Sequence, residues 1–186
     1  MGKLNILNGR IEPLIIVHPY WLLEVYNLSF EQYDKTDPAE FVQENKLMGT
    51  SFGKNYYSYL ENLEETIPNY LGPLITLETW RCSDYTKERY EYLGRNNNSY
   101  FIETTDMTPI PKEGWVKLFD LLDNLGAKKI LLAGGSYSRH LKNPGCLGLT
   151  EEVLLHYNYK PTVVEGLHYL LDWKWTGDKV ELLQKR

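Results

Sequence analysis

Residues 111–133 read PKEGWVKLFDLLDNLGAKKILLA, and two periodicities meet inside them. Trp115, Leu118, Phe119, Leu122 and Leu125 recur at helical spacing against Lys117, Asp120 and Asp123, which predicts an amphipathic helix from about Pro111 to Leu125. Pro111 suits the first turn, where a missing N–H costs nothing, and Gly126 suits the position past the end, where a left-handed backbone is wanted. Lys129-Ile130-Leu131-Leu132-Ala133 then forms a short apolar run, the mark of a strand covered on both faces, breaking at Gly134-Gly135-Ser136. Helix, glycine turn and buried strand together are the repeating unit of a parallel sheet.

Working outward, four more runs have strand character: Leu14-Ile15-Ile16-Val17, ended by His18-Pro19; Pro73 to Glu78; Ser99 to Thr104; and Pro161 to Glu165. Helices are expected through Tyr56, Leu60 and Leu63 and from Thr150 to Tyr157. Strands alternating with helices require right-handed crossovers, so the expected fold class is α/β, a three-layer α/β/α sandwich with a mostly parallel sheet of five or six strands. The Tyr-rich segment ending in Arg95-Asn96-Asn97-Asn98 reads as a surface loop or short helix, and Asp37-Pro38 as a helix start within a polar excursion from Trp21 to Tyr70. Hairpin signals flank Asn8-Gly9 near one end and Thr176-Gly177-Asp178-Lys179 near the other, the second competing with a helix from Leu167 to Trp173. Without repeats or low-complexity linkers, residues 1–186 read as one α/β domain with small terminal hairpins.

The chain is 42% hydrophobic and 24% charged, a balance that builds a core and argues against both disorder and a membrane protein. Its net charge of −5 comes from interspersed charges, which leave no basic stripe to track a nucleic-acid backbone. Fifteen tyrosines without such a stripe fit cores and pocket walls better than base stacking. The two cysteines, Cys82 and Cys146, form neither a disulfide framework nor a CxxC pair, and Met1-Gly2-Lys3-Leu4-Asn5 opens no signal-like apolar run. The expectation is a cytoplasmic protein with no nucleic-acid or membrane partner and no cofactor, whose partner is a small-molecule ligand.

In open parallel sheets, ligands bind beyond the carboxyl ends of the strands. There the sequence places His18; Glu78, Thr79 and Arg81; Thr105 and Asp106; Ser136, Arg139, His140 and Cys146; and Glu165. His18, Asp106 and Ser136 should share one cleft on that rule. Gly145-Cys146-Leu147-Gly148 precedes an expected helix, where backbone N–H groups and the dipole would lower the pKa of the thiol. Gly134-Gly135-Ser136 could cradle an anion with its amides, while neither a dinucleotide fingerprint nor a phosphate-binding GK[ST] loop is present.

The order of parts from Pro13 to Glu165 resembles the isochorismatase-like cysteine hydrolases, α/β domains of about this length. Val17-His18-Pro19 stands where that family ends its first strand in an Asp, Phe101 to Gly134 follows its third strand, helix and fourth strand, and Cys146 precedes the helix that carries its nucleophile. His18 replaces the family's Asp, and Glu103 and Asp106 stand where its lysine would be. The resemblance implies hydrolysis at a C–N or vinyl-ether-type bond, with Cys146 attacking, His18 or Asp106 taking its proton, and Glu78, Ser136 and His140 binding substrate, His140 also serving as an alternative base. Two other readings stand beside it. One is a ligand-binding or assembly protein that keeps the fold without the chemistry, for example as a homo-oligomer burying Tyr and Trp side chains. The other is a metal-dependent hydrolase using His18, Glu78, Asp106 and His140, which no ligand spacing supports.

Overall fold

The computed structural model describes residues 10–20, 54–80, 82–95, 97–104, 113–137 and 144–170, with the backbone of 51–53, 112, 173–175 and 180–182. The strands Leu14–Val17 (β1), Leu74–Thr79 (β2), Ser99–Thr104 (β3), Lys129–Tyr137 (β4) and Lys160–Leu170 (β5) form one sheet in the order β3-β2-β1-β4-β5. Every neighbouring pair is parallel. The order runs outward from β1 in both directions, the doubly wound arrangement, and the chain reverses direction across the sheet between β1 and β4.

Helices cover both faces of the sheet. Ser51–Asn69 (α1) and Ser83–Tyr92 (α2) bury Tyr56, Tyr59, Leu60, Leu63, Ile67, Tyr85 and Tyr90 against Leu14, Ile16, Leu74, Leu131 and Ala133. Lys112–Asn124 (α3) and Gly145–His156 (α4) bury Leu118, Leu122, Leu147 and Leu154 against Ile15, Val17, Ile75, Leu77, Ile102, Ile130 and Leu132. Alternate residues of one strand thus feed opposite cores, which is why the central strands are continuous apolar runs. The architecture is the three-layer α/β/α sandwich expected, with five strands. Among the described residues, no helix is long and apolar enough to cross a membrane.

Several boundaries differ from the sequence expectation. β4 does not break at Gly134-Gly135-Ser136 but continues to Tyr137. Its glycines answer to close approach, since a Cβ on Gly134 would lie 2.0 Å from Val17 O and one on Gly135 would lie 2.3 Å from Tyr169 Cζ. α4 begins at Gly145 rather than Thr150, because burial of Leu147 outweighs the low helix propensity of Gly145 and Gly148. β5 runs past Glu165 to Leu170, so a helix from Leu167 is excluded; Leu167 and Tyr169 are buried in strand alternation. The Tyr-rich segment before β3 is the helix α2, held inward by Tyr85 and Tyr90. Trp173–Trp175 (β6) and Val180–Leu182 (β7) pair antiparallel as the hairpin reading required. The expected hairpin at Asn8-Gly9 and helix start at Asp37-Pro38 lie outside the described residues.

The α1/α2 core is rich in tyrosine. Tyr169 packs edge-on to Tyr56 at 4.8 Å and against Tyr59 at 4.9 Å, and Tyr20 packs edge-on to Tyr85 at 5.3 Å. Burial, reinforced by neighbouring phenols and acids, pushes the phenols of Tyr20, Tyr59, Tyr90 and Tyr169 well above their ordinary range. A folded-state pKa raised this way adds stability that is complete below pH 10 and falls as the unfolded chain's phenols ionise above it. These tyrosines should therefore titrate together with cooperative unfolding in alkali. Phenolate absorbance and far-UV circular dichroism followed from pH 9 to 13 check it; phenolate absorbance equivalent to all fifteen tyrosines with the fold intact would contradict the burial argument.

Candidate functional site

The sequence candidates occupy distinct places at the carboxyl edge. His18 is buried with a left-handed φ of 43°, and its Nε2 lies 2.9 Å from Thr104 Oγ1 at the end of β3. An extended residue at this position would follow Leu14 and Ile16 toward α1 and α2; the positive φ instead carries the ring to the side of Ile102 and Thr104. The phenols of Tyr56 and Tyr59 donate to Pro19 O, and that of Tyr169 donates to His18 O at 3.2 Å, which fixes the turn after β1. Glu78 is buried, and its carboxylate accepts from Thr79 N at 3.0 Å and from Thr86 Oγ1 at 3.1 Å, tying β2 to α2.

Gly145, the residue before Cys146, lies against Ser136 at the end of β4. Gly145 has a φ of +73°, and a Cβ there would lie 2.2 Å from Ser136 O, so both backbone conformation and close approach require glycine where the first turn of α4 meets the strand end. The Cys146 thiol is pushed up to about 11 by burial, against the lowering expected from a helix N-terminus. Among the described residues, no imidazole or carboxylate hydrogen-bonds its Sγ. The His18 ring reaches toward β3, on the opposite side of β1 from β4. Asp106 and His140, with Arg81, Thr105 and Arg139, lie outside the described residues. No group of His, Cys, Asp and Glu able to hold a metal is found among the described residues.

The open space lies one strand further along. A cavity of about 610 Å³ opens between α1 and the carboxyl half of β5, lined by Asn55, Ser58, Tyr59, Asn62, Tyr137, Val163, Glu165, Gly166 and His168. A bulge in β5 produces it: between the pairs Leu132↔Val163 and Gly134↔His168, β4 advances two residues while β5 advances five. Gly166, at φ +79°, allows the bulge its turn. Two side chains brace it. His168 Nδ1 donates to Val164 O at 3.0 Å across the bulge, and Asn62 Nδ2 donates to Gly166 O at 3.0 Å from α1.

These backbone partners also fix what the braces offer. A carbonyl can only accept, so Nδ1 of His168 carries a hydrogen and, in the neutral ring, Nε2 holds the lone pair. The same logic leaves Asn62 with Oδ1 unengaged. Asn55 is reversed, because its Oδ1 accepts from Leu170 N at 2.8 Å and its amide donors are left over. Tyr59, buried, is the deepest lining group, while Ser58 and Glu165 are exposed at the rim.

Of the lining residues, the sequence singled out Glu165 as a strand-end acid and missed the stripe Asn55, Ser58, Asn62. At helical spacing, such a stripe reads as a solvent face. The signal that could have found the cavity was Gly166 within a strand pattern, which marks a bulge. Comparison with protein-family models, with curated proteins and with solved structures finds no match, and topology alone places the chain in the Rossmann-like class of doubly wound α/β folds.

Proposed function

We propose that this chain is a ligand-binding α/β protein that holds a small polar molecule between α1 and β5. The supporting observation is the 610 Å³ cavity, a volume suited to a metabolite, with polar ends oriented from behind by backbone hydrogen bonds. Preorganised groups of this kind lose little entropy on binding, which is how a small contact set acquires affinity. It lies at the carboxyl side of the sheet, where the loops and helix ends of such folds receive ligands. The hydrolase reading draws on Cys146 in the first turn of α4, next to Gly145, which lies against Ser136 at the end of β4. Against it stand a thiol pushed up to about 11 and a His18 ring engaged toward β3.

The test is a thermal-shift screen of neutral, cationic and anionic metabolites. A true ligand at about 100 times its Kd stabilises by about 2.7 kcal/mol, which raises the Tm of a chain this size by roughly 5–10 °C. Ser58→Trp places an indole at the exposed rim of the cavity and should abolish that shift with the melting point of the free protein retained. No stabilising compound in the screen, or a shift that survives Ser58→Trp, would overturn the proposal.

A further inference from the structure

We infer that the molecule held in this cavity is a small organic cation carrying N–H donors, a primary ammonium or a guanidinium. This rests on the binding reading above and adds the chemical class of ligand. The argument is a count of what the lining leaves unengaged. Acceptors predominate: Asn62 Oδ1, the carboxylate of Glu165 and, in the neutral ring, His168 Nε2 stand against the donor amide of Asn55, and the Ser58 hydroxyl can do either.

Charge points the same way. Among the described residues that line the cavity, Glu165 carries the one carboxylate and none is Lys or Arg, and Glu165 has no ion-pair partner among the described residues. A phosphate or carboxylate would meet like charge and carbonyl-type oxygens with nothing to neutralise it. Tyr59 and Tyr137 add aromatic groups to the wall. Tyr137 is braced by donating to Glu151 Oε2 at 3.1 Å and stands edge-on to His168, ring centroids 5.6 Å apart.

Two matched probe series test the inference: glucosamine, glucose and glucuronate on one ring, and 4-aminobutanol, butanediol and 4-hydroxybutyrate on one chain. Each is titrated into the full chain while the backbone amides of Gly166 and His168 are followed by NMR. In the better-fitting series the ammonium member should bind at least tenfold more tightly than the neutral one, and the carboxylate most weakly. Glu165→Gln should weaken the ammonium member by roughly two- to fivefold, within the range of an exposed charge pair, and weaken the neutral member by less. Ser58→Trp should remove the shifts of every member.

A neutral or anionic member that binds as tightly as its ammonium partner, with Ser58→Trp blocking both, would overturn the cation and leave the binding reading standing. An ammonium preference that Glu165→Gln does not reduce would also overturn it. Failure of both series to move these amides at about 10 mM would overturn the cation too, while the metabolite screen tests the cavity itself.

Discussion

Gly134→Ala should cost about 3–5 kcal/mol, a large share of the stability of a domain this size. Two penalties combine at that position. Its φ of +93° is a conformation that L side chains rarely adopt, and the new methyl would lie 2.0 Å from Val17 O in the neighbouring strand. A clash with backbone inside a parallel sheet cannot be relieved by a rotamer change, so β1 and β4 would have to separate at the pair Val17↔Gly134. Gly126→Ala separates the two penalties, because Gly126 has a φ of +62° and nothing within 4 Å of its Cβ position. It should cost only about 1–2 kcal/mol. Urea unfolding of both variants decides the matter: the Gly134 variant should lose more than about 1 M in midpoint. Equal costs at the two glycines would mean that strand contact adds nothing to strain.

That comparison also explains what the sequence could and could not disclose. Continuous apolar runs at Leu14–Val17 and Ile130–Ala133 identify parallel strands because burial on both faces removes polar alternation. The helix after Lys112 was equally legible, since one face must stay apolar. Boundaries set by tertiary contact were not. Gly134 and Gly135 read as a break because their reason, the proximity of Val17 and Tyr169, is long-range. Tyr90 of α2 looked like surface because its partners come from Thr76 and Phe101 on other elements. Topology could direct attention to the carboxyl edge and to Glu165, yet the bulge that opens the cavity depends on register between β4 and β5, which no local pattern encodes.

Cys146 should alkylate about a hundredfold more slowly at pH 7 than an ordinary thiol, because two opposed effects act on it with unequal strength. The amino end of a helix favours a thiolate by about 0.3–1 kcal/mol, less than one pKa unit. Burial moves the group from an ordinary 9.0 to about 11, a cost of about 3 kcal/mol for ionisation, and therefore wins. Because the thiolate alone is the nucleophile, the rate with iodoacetamide should climb about tenfold per pH unit until pH approaches 11. The sign for stability follows from the same shift: the folded pKa is raised, so the contribution of the neutral thiol is complete below pH 9 and is lost between about 9 and 11. Mass spectrometry of alkylated peptides, with the urea-unfolded chain as reference, separates Cys146 from the buried Cys82. Cys146→Ala should cost about 1 kcal/mol, as removal of a packed small side chain does. Alkylation of Cys146 faster in the folded than in the unfolded chain, with an inflection below pH 8, would overturn this ordering of effects. It would then require an activating group at the end of β4 and restore the nucleophile reading, whereas slow alkylation with a late inflection marks the thiol as a packing group under α4.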